Sequence, residues 1–76
     1  MNAERRTRLK ELHDRITQLG GELDNLRDEE QEAFDNMPES LQSGSRGEKA
    51  EEGLQSMSDS IGSLEDAASA LEDLFN

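Results

Sequence analysis

Residues 28–49 read DEEQEAFDNMPESLQSGSRGEK. The stretch begins as a dense acidic run, meets the only proline of the chain at Pro38, and ends in serine and glycine with two bases. A proline pushes the residue before it out of the α region. Any helix arriving from the N-terminal side therefore stops near Asn36. QSGSRG is a loop by composition. Ser45 with Glu48 three residues later has the form of a capping box, which predicts a new helix. The chain should change direction here, and PESL suits a short turn that starts at the proline.

The segments on either side decide what turns. Upstream, Leu9, Leu12, Ile16, Leu19, Leu23 and Leu26 alternate steps of three and four residues, the a/d pattern of a heptad repeat. Continuing the register puts Glu30 at a, Ala33 at d and Met37 at a, so the apolar seam weakens at Glu30. A carboxylate there either pairs with Lys49 or Arg46 across the turn or ends the seam, and pairing is expected. Gly20 and Gly21 fall outside a and d, each costing roughly 1 kcal/mol against alanine; the helix is expected to run through them. Downstream, Ala50, Leu54, Met57, Ile61, Leu64, Ala68, Leu71 and Phe75 form a second heptad. Ala67 and Leu74 widen its stripe, as in a bundle helix.

The expected architecture is a single all-α domain over residues 1–76. Helix 1 covers about 3–36, the turn about 37–45 and helix 2 about 46–75. The two helices form an antiparallel hairpin with heptad seams. One seam rarely stabilises so small a scaffold. A homodimer is therefore expected, as a coiled-coil or four-helix arrangement. The seam residues are Leu9, Leu12, Ile16, Leu19, Leu23 and Leu26 from helix 1, with Leu54, Met57, Ile61, Leu64 and Leu71 from helix 2. Charge favours antiparallel pairing. Arg5, Arg6 and Arg8 at a helix N-terminus and Glu32 and Asp35 at a C-terminus both oppose the helix dipole. A reversed neighbour relieves both, whether it is helix 2 or helix 1 of another copy.

The composition excludes several classes. Hydrophobic residues make up 30% and aromatics 3% of the 76 residues, too little for a thick globular core. No cysteine is present, so no disulfide framework or thiolate zinc site arises. The opening MNAERRTRLKELHDR lacks the apolar segment of a signal peptide, and no apolar run approaches the ~20 residues of a membrane span. A soluble, cytoplasmic protein is expected. No nucleophile–base pair, phosphate loop or calcium loop is visible. His13, the only histidine, flanks the seam and is expected to be partly solvated. The chain is expected to be a non-enzyme without metal or cofactor.

The net charge is −11, unevenly spread. Residues 1–21 hold five bases against three acids, while the rest hold three bases against sixteen acids. Direct nucleic-acid binding is disfavoured by this balance, and a basic protein surface is the better partner. On helix 2 the e and f positions hold Glu51, Glu52, Asp59, Glu65, Asp66, Glu72 and Asp73 with no base among them. A face selected for solubility alone tends to mix both signs. The candidate partner-binding residues are Asp28, Glu29, Glu32, Asp35 and Glu39 near the turn, with Glu51, Glu52 and Asp59 on helix 2. Rows of helical carboxylates can occupy a groove that normally grips phosphates. The alternative is a structural or adaptor protein whose seam pairs with a partner helix.

The stretch DEEQEAFDNMPESLQSGSRGEKAEE, followed by LEDAASALEDL, resembles a group of small acidic helical proteins encoded by bacteriophages, prophages and their hosts. The resemblance covers about residues 28–75 and is most specific from Phe34 to Glu52. It implies a mobile-element origin. Small acidic phage proteins often inhibit host or defence proteins, anti-CRISPR and anti-restriction proteins among them.

Overall fold

Asn2 starts the first helix. Its side-chain oxygen accepts a hydrogen bond from the Arg5 N–H at 2.8 Å, closing one of the free donors of the first turn. From there α1 runs unbroken over Ala3–Asp35 in the computed structural model, which describes all residues 1–76. Gly20 and Gly21 lie inside it, helical like their neighbours. The helix closes ahead of Pro38 as the chain tightens, the Met37 N–H reaching the Phe34 carbonyl at 3.1 Å. Pro38 is the N-cap of a four-residue helix, α2 (Glu39–Gln42), rather than its first helical residue. The helix α3 spans Ser45–Phe75. The molecule is all-helical, without strands, and extends 58 × 14 × 13 Å. No helix is long and apolar enough to cross a membrane.

The capping box does not form. Gly44 is the N-cap of α3, with φ −94° and ψ −171°, and no side chain caps this helix. Ser45 is already helical, so its hydroxyl has lost the extended-backbone position from which a side chain reaches over the following N–H groups.

The two long helices lie against each other with numbers running in opposite directions. His13 meets Glu72 and Phe75 at one end. Gly20 and Asp24 lie across from Ile61 and Leu64 in the middle. Phe34 lies across from Glu51 and Leu54 near the turn. Gln42 ties the turn to α1, its Nε2 donating to the Phe34 carbonyl at 2.9 Å. Gly47 ties the turn to α3, buried beneath the Gln42 backbone.

The inner face of α3 is the expected one, with Leu54, Met57, Leu64, Ala68 and Leu71 half-buried and Ala50 and Ile61 buried. The inner face of α1 is rotated from expectation. Leu9, Ile16 and Leu23 at a are half-buried, and so are His13, Gly20, Arg27 and Phe34 at e. The d residues Leu12, Leu19 and Leu26 remain 46%, 54% and 55% exposed. Both ends of α1 explain the rotation. The aromatic side chains available for contact are Phe34 and Phe75, and each is met through an e position of α1. Turning α1 toward e encloses Phe34 and the His13 ring at the expense of the d leucines.

An alanine methyl at Gly20 or Gly21 would meet nothing within 4 Å. Replacing both by alanine should therefore stabilise the helix by roughly 1–2 kcal/mol, through the entropy of the unfolded chain. The urea midpoint of the double variant should rise at unchanged slope; a fall would mean that α1 is not a continuous helix there.

Candidate interaction surface

On an α-helix, positions related by heptad letters share a face. Placed on α3, all eight acids fall at b, e or f: Glu48, then Glu51, Glu52 and Asp59, then Glu65, Asp66, Glu72 and Asp73. The f acids recur every seven residues, about 10 Å along the axis, while Ser58 interrupts the e row between Glu51 and Glu65. The c and g positions of α3 hold only Arg46, Lys49 and small or apolar residues. α3 is thus acidic along one side and free of acids along another.

Only the e edge of the acidic side, Glu51, Glu65 and Glu72, borders α1. Between the helices lies an open groove of about 600 Å³, lined by His13, Gly20, Gly21 and Asp24 from α1 and by Ile61, Glu65 and Glu72 from α3, among others. The two glycines widen it because no side chain fills the space above them. A second, shallower groove near the turn places Arg27 and Gln31 beside Glu51 and Ser58.

All eight candidate contact residues are exposed, but they do not share one face. Glu51 lines the shallow groove. Asp28 and Asp35 at f of α1 turn toward the same side. Glu52 and Asp59 at f of α3 point away from α1. Glu29 at g lies on the leucine side, and Glu32 at c lies on the back of α1. Glu39 sits in the first turn of α2. Asp35 accepts a hydrogen bond from Gln31 and Asp59 one from Gln55, both at 2.9 Å. Sequence reasoning did not single out Asp24, Glu65 and Glu72 as contacts, although all three line the larger groove. Their signal was present in the register: once 13 meets 72, residues whose numbers sum to about 85 lie across from each other.

Few of these carboxylates meet a cation. Ion-pair distances are reached only by Asp14 and Glu72, on His13, and by Asp24 and Asp28, on Arg27. Glu30 is half-buried and meets neither Lys49 nor Arg46 within 4 Å, contrary to the expected pairing. Arg5, Arg6 and Arg8 likewise form no ion pair with α3; Arg6 donates instead to the Met1 carbonyl at 3.2 Å. Register brings these side chains near each other, but long exposed chains gain little from closing the last few ångströms through water.

The one polar link between the long helices is His13. Its side chain is only 15% exposed, more enclosed than its flanking position suggested. Nε2 lies 3.0 Å from a Glu72 carboxylate oxygen and Nδ1 lies 3.1 Å from Asp14. Its ring stands edge-on to Phe75, with centroids 5.2 Å apart. In its protonated form the ring donates to both carboxylates. The contact to Glu72 joins α1 to the C-terminal part of α3. No three histidine or carboxylate side chains converge in a cluster able to hold a metal ion.

No protein-family model matches the chain, and no curated protein or solved structure matches it either.

Proposed function

We propose that this chain is a non-enzymatic binding protein, an antiparallel helical hairpin with heptad seams that acts as a homodimer. It presents its acidic side to a basic protein surface and blocks it. The partner is a nucleic-acid-binding protein whose cationic groove otherwise grips phosphates, so the mechanism is mimicry of nucleic-acid charge. The observation that carries this reading is the segregation of charge on α3: eight exposed acids confined to b, e and f, of which only Glu72 lies within 4 Å of a basic side chain, the His13 imidazole. Unpaired carboxylates repel one another, and a rod that tolerates this repulsion has a use for it. The 58 Å length exceeds one turn of B-form DNA, ~34 Å. Association driven by such a surface is fast and falls steeply with salt.

The resemblance of residues 28–75 to small acidic phage and prophage proteins supports placing the partner among host or defence proteins, such as CRISPR or restriction systems, in the bacterial cytoplasm. A second reading is favoured by the exposed row Leu12, Leu19 and Leu26, which an adaptor could use to pair with a foreign helix. Salt separates the two, because apolar pairing persists where screened charges fail.

Reversing Glu51, Glu52 and Asp59 to lysine tests the reading. These side chains are exposed and make no ion pair, so circular dichroism should remain helical. Capture of the basic partner should fall at least about tenfold, as expected when several charge pairs turn repulsive. Undiminished capture by the folded triple variant would overturn the proposal.

A further inference from the structure

The leucine side of the molecule has a composition that specifies its own partner. Leu12, Leu19 and Leu26 recur every seven residues along α1, each about half exposed. A helix of an isolated protein rarely leaves such a row to water. The folded chain buries only two apolar side chains, Ala50 and Ile61, each still 8% exposed, so a single seam leaves apolar surface for a second layer to cover.

Two further features say what the layer is. Beside the leucine row, the g positions of α1 run Arg8, Arg15, Glu22, Glu29, two bases followed by two acids. This order is complementary to itself read backwards. Beside the same row, α3 presents its acid-free side, where Ser60, Ala67 and Ala70 are small enough for close approach.

We infer that the leucine face binds a second copy of this chain, face to face, with α1 packed antiparallel on α1 about a twofold axis near Leu19. Leu19 then meets itself, and Leu12 meets Leu26 of the second copy. Arg15 faces Glu22 and Arg8 faces Glu29, each pair occurring twice by symmetry. Parallel stacking of α1 on α1 would put the two g rows on opposite sides of the seam, where none of these four charges faces another. Stacking α1 on α3 of the other copy would leave Glu22 and Glu29 facing serines. Charge therefore selects one arrangement among the face-to-face forms, as e and g residues do in coiled coils. It leaves the acidic sides of both copies outward, a bivalent surface. The inference deepens the homodimer in the proposed function and is independent of the identity of the acidic side's partner.

The chain has no cysteine, so single replacements report the geometry directly. Leu19→Cys should form a covalent dimer under mild oxidation, while Leu12→Cys and Leu26→Cys alone should not. Equimolar mixing of these two should restore cross-linking, 12 to 26. Rapid cross-linking of Leu12→Cys with itself would establish a parallel pairing and overturn the proposal. So would a wild-type mass of 8.5 kDa by light scattering at high concentration, rather than twice that. In parallel, Arg15→Glu should make the chain monomeric, and adding Glu22→Arg should restore the dimer. Failure of the double variant to dimerise, with helicity intact, would also overturn it. None of these substitutions touches the acidic side, so failure here is separable from failure of the partner-blocking reading.

Discussion

Gly47→Ala should lower the melting temperature by roughly 10 °C, the size of effect that a loss of ~2 kcal/mol has in so small a domain. In an ordinary helix the same change would stabilise by up to ~1 kcal/mol. The sign reverses because of what lies above the glycine. A Cβ built there falls 1.8 Å from the Gln42 carbonyl oxygen, and 2.3 and 2.7 Å from the Gln42 carbonyl carbon and Cα. These are backbone atoms and cannot rotate away. Accommodating the methyl means lifting α2 off α3, which also strains the hydrogen bond from the Gln42 side chain to Phe34. Overpacking of this kind typically costs ~1–3 kcal/mol or more, enough to outweigh the helix-propensity gain. The measurement is thermal unfolding at a fixed chain concentration, beside the Gly20→Ala/Gly21→Ala variant. If Gly47→Ala instead raised the melting temperature as those changes do, the turn would not pack on α3.

Ile61→Ala should cost about 2–3 kcal/mol, toward the lower end for a buried aliphatic truncation. Ile61 is one of two buried apolar residues and sits where α3 is covered by the middle of α1. It also borders the open groove, so water and neighbouring side chains can partly fill the space, which keeps the cost from the upper end of the range. Ile61→Val should show a graded loss of about 1 kcal/mol. Chemical denaturation at equal chain concentration resolves both, since folding and association are linked in a dimer. A change within about 0.5 kcal/mol for Ile61→Ala, the level of an ordinary surface substitution, would mean that the α1–α3 contact is not the source of stability.

Much of the fold was legible because heptad spacing, a proline and a glycine-rich loop are local signals. Pro38 placed the end of α1 within a residue of Asp35. The a/d pattern of α3 also found its inner face. The pattern of α1 did not, because a row of leucines records that a face is covered by something, not by what. Leu12, Leu19 and Leu26 read as seam beside Leu9, Ile16 and Leu23, and the structure separates the two sets. His13 and Phe34 decided the rotation, and each makes its contact with residues far away in the chain. Ser45 misled by one position, since a capping signal says nothing about which of two neighbouring small residues is already helical. The acids of the candidate surface were legible one by one. Their grouping was not: the groove that gathers Asp24, Glu65 and Glu72 exists only once the helices are set side by side.

The central claim is that the acidic side of α3 engages a cationic, nucleic-acid-binding protein through charge. The direct measurement is capture from bacterial lysate on the immobilised chain, with the Glu51→Lys, Glu52→Lys, Asp59→Lys variant as the parallel column. Both are washed in rising salt and then with duplex DNA, and the eluates are identified by mass spectrometry. The account predicts a basic nucleic-acid-binding protein that is held at low salt by the wild-type column alone and released by salt or by DNA. A partner held equally by both columns and resistant to salt and DNA would contradict it.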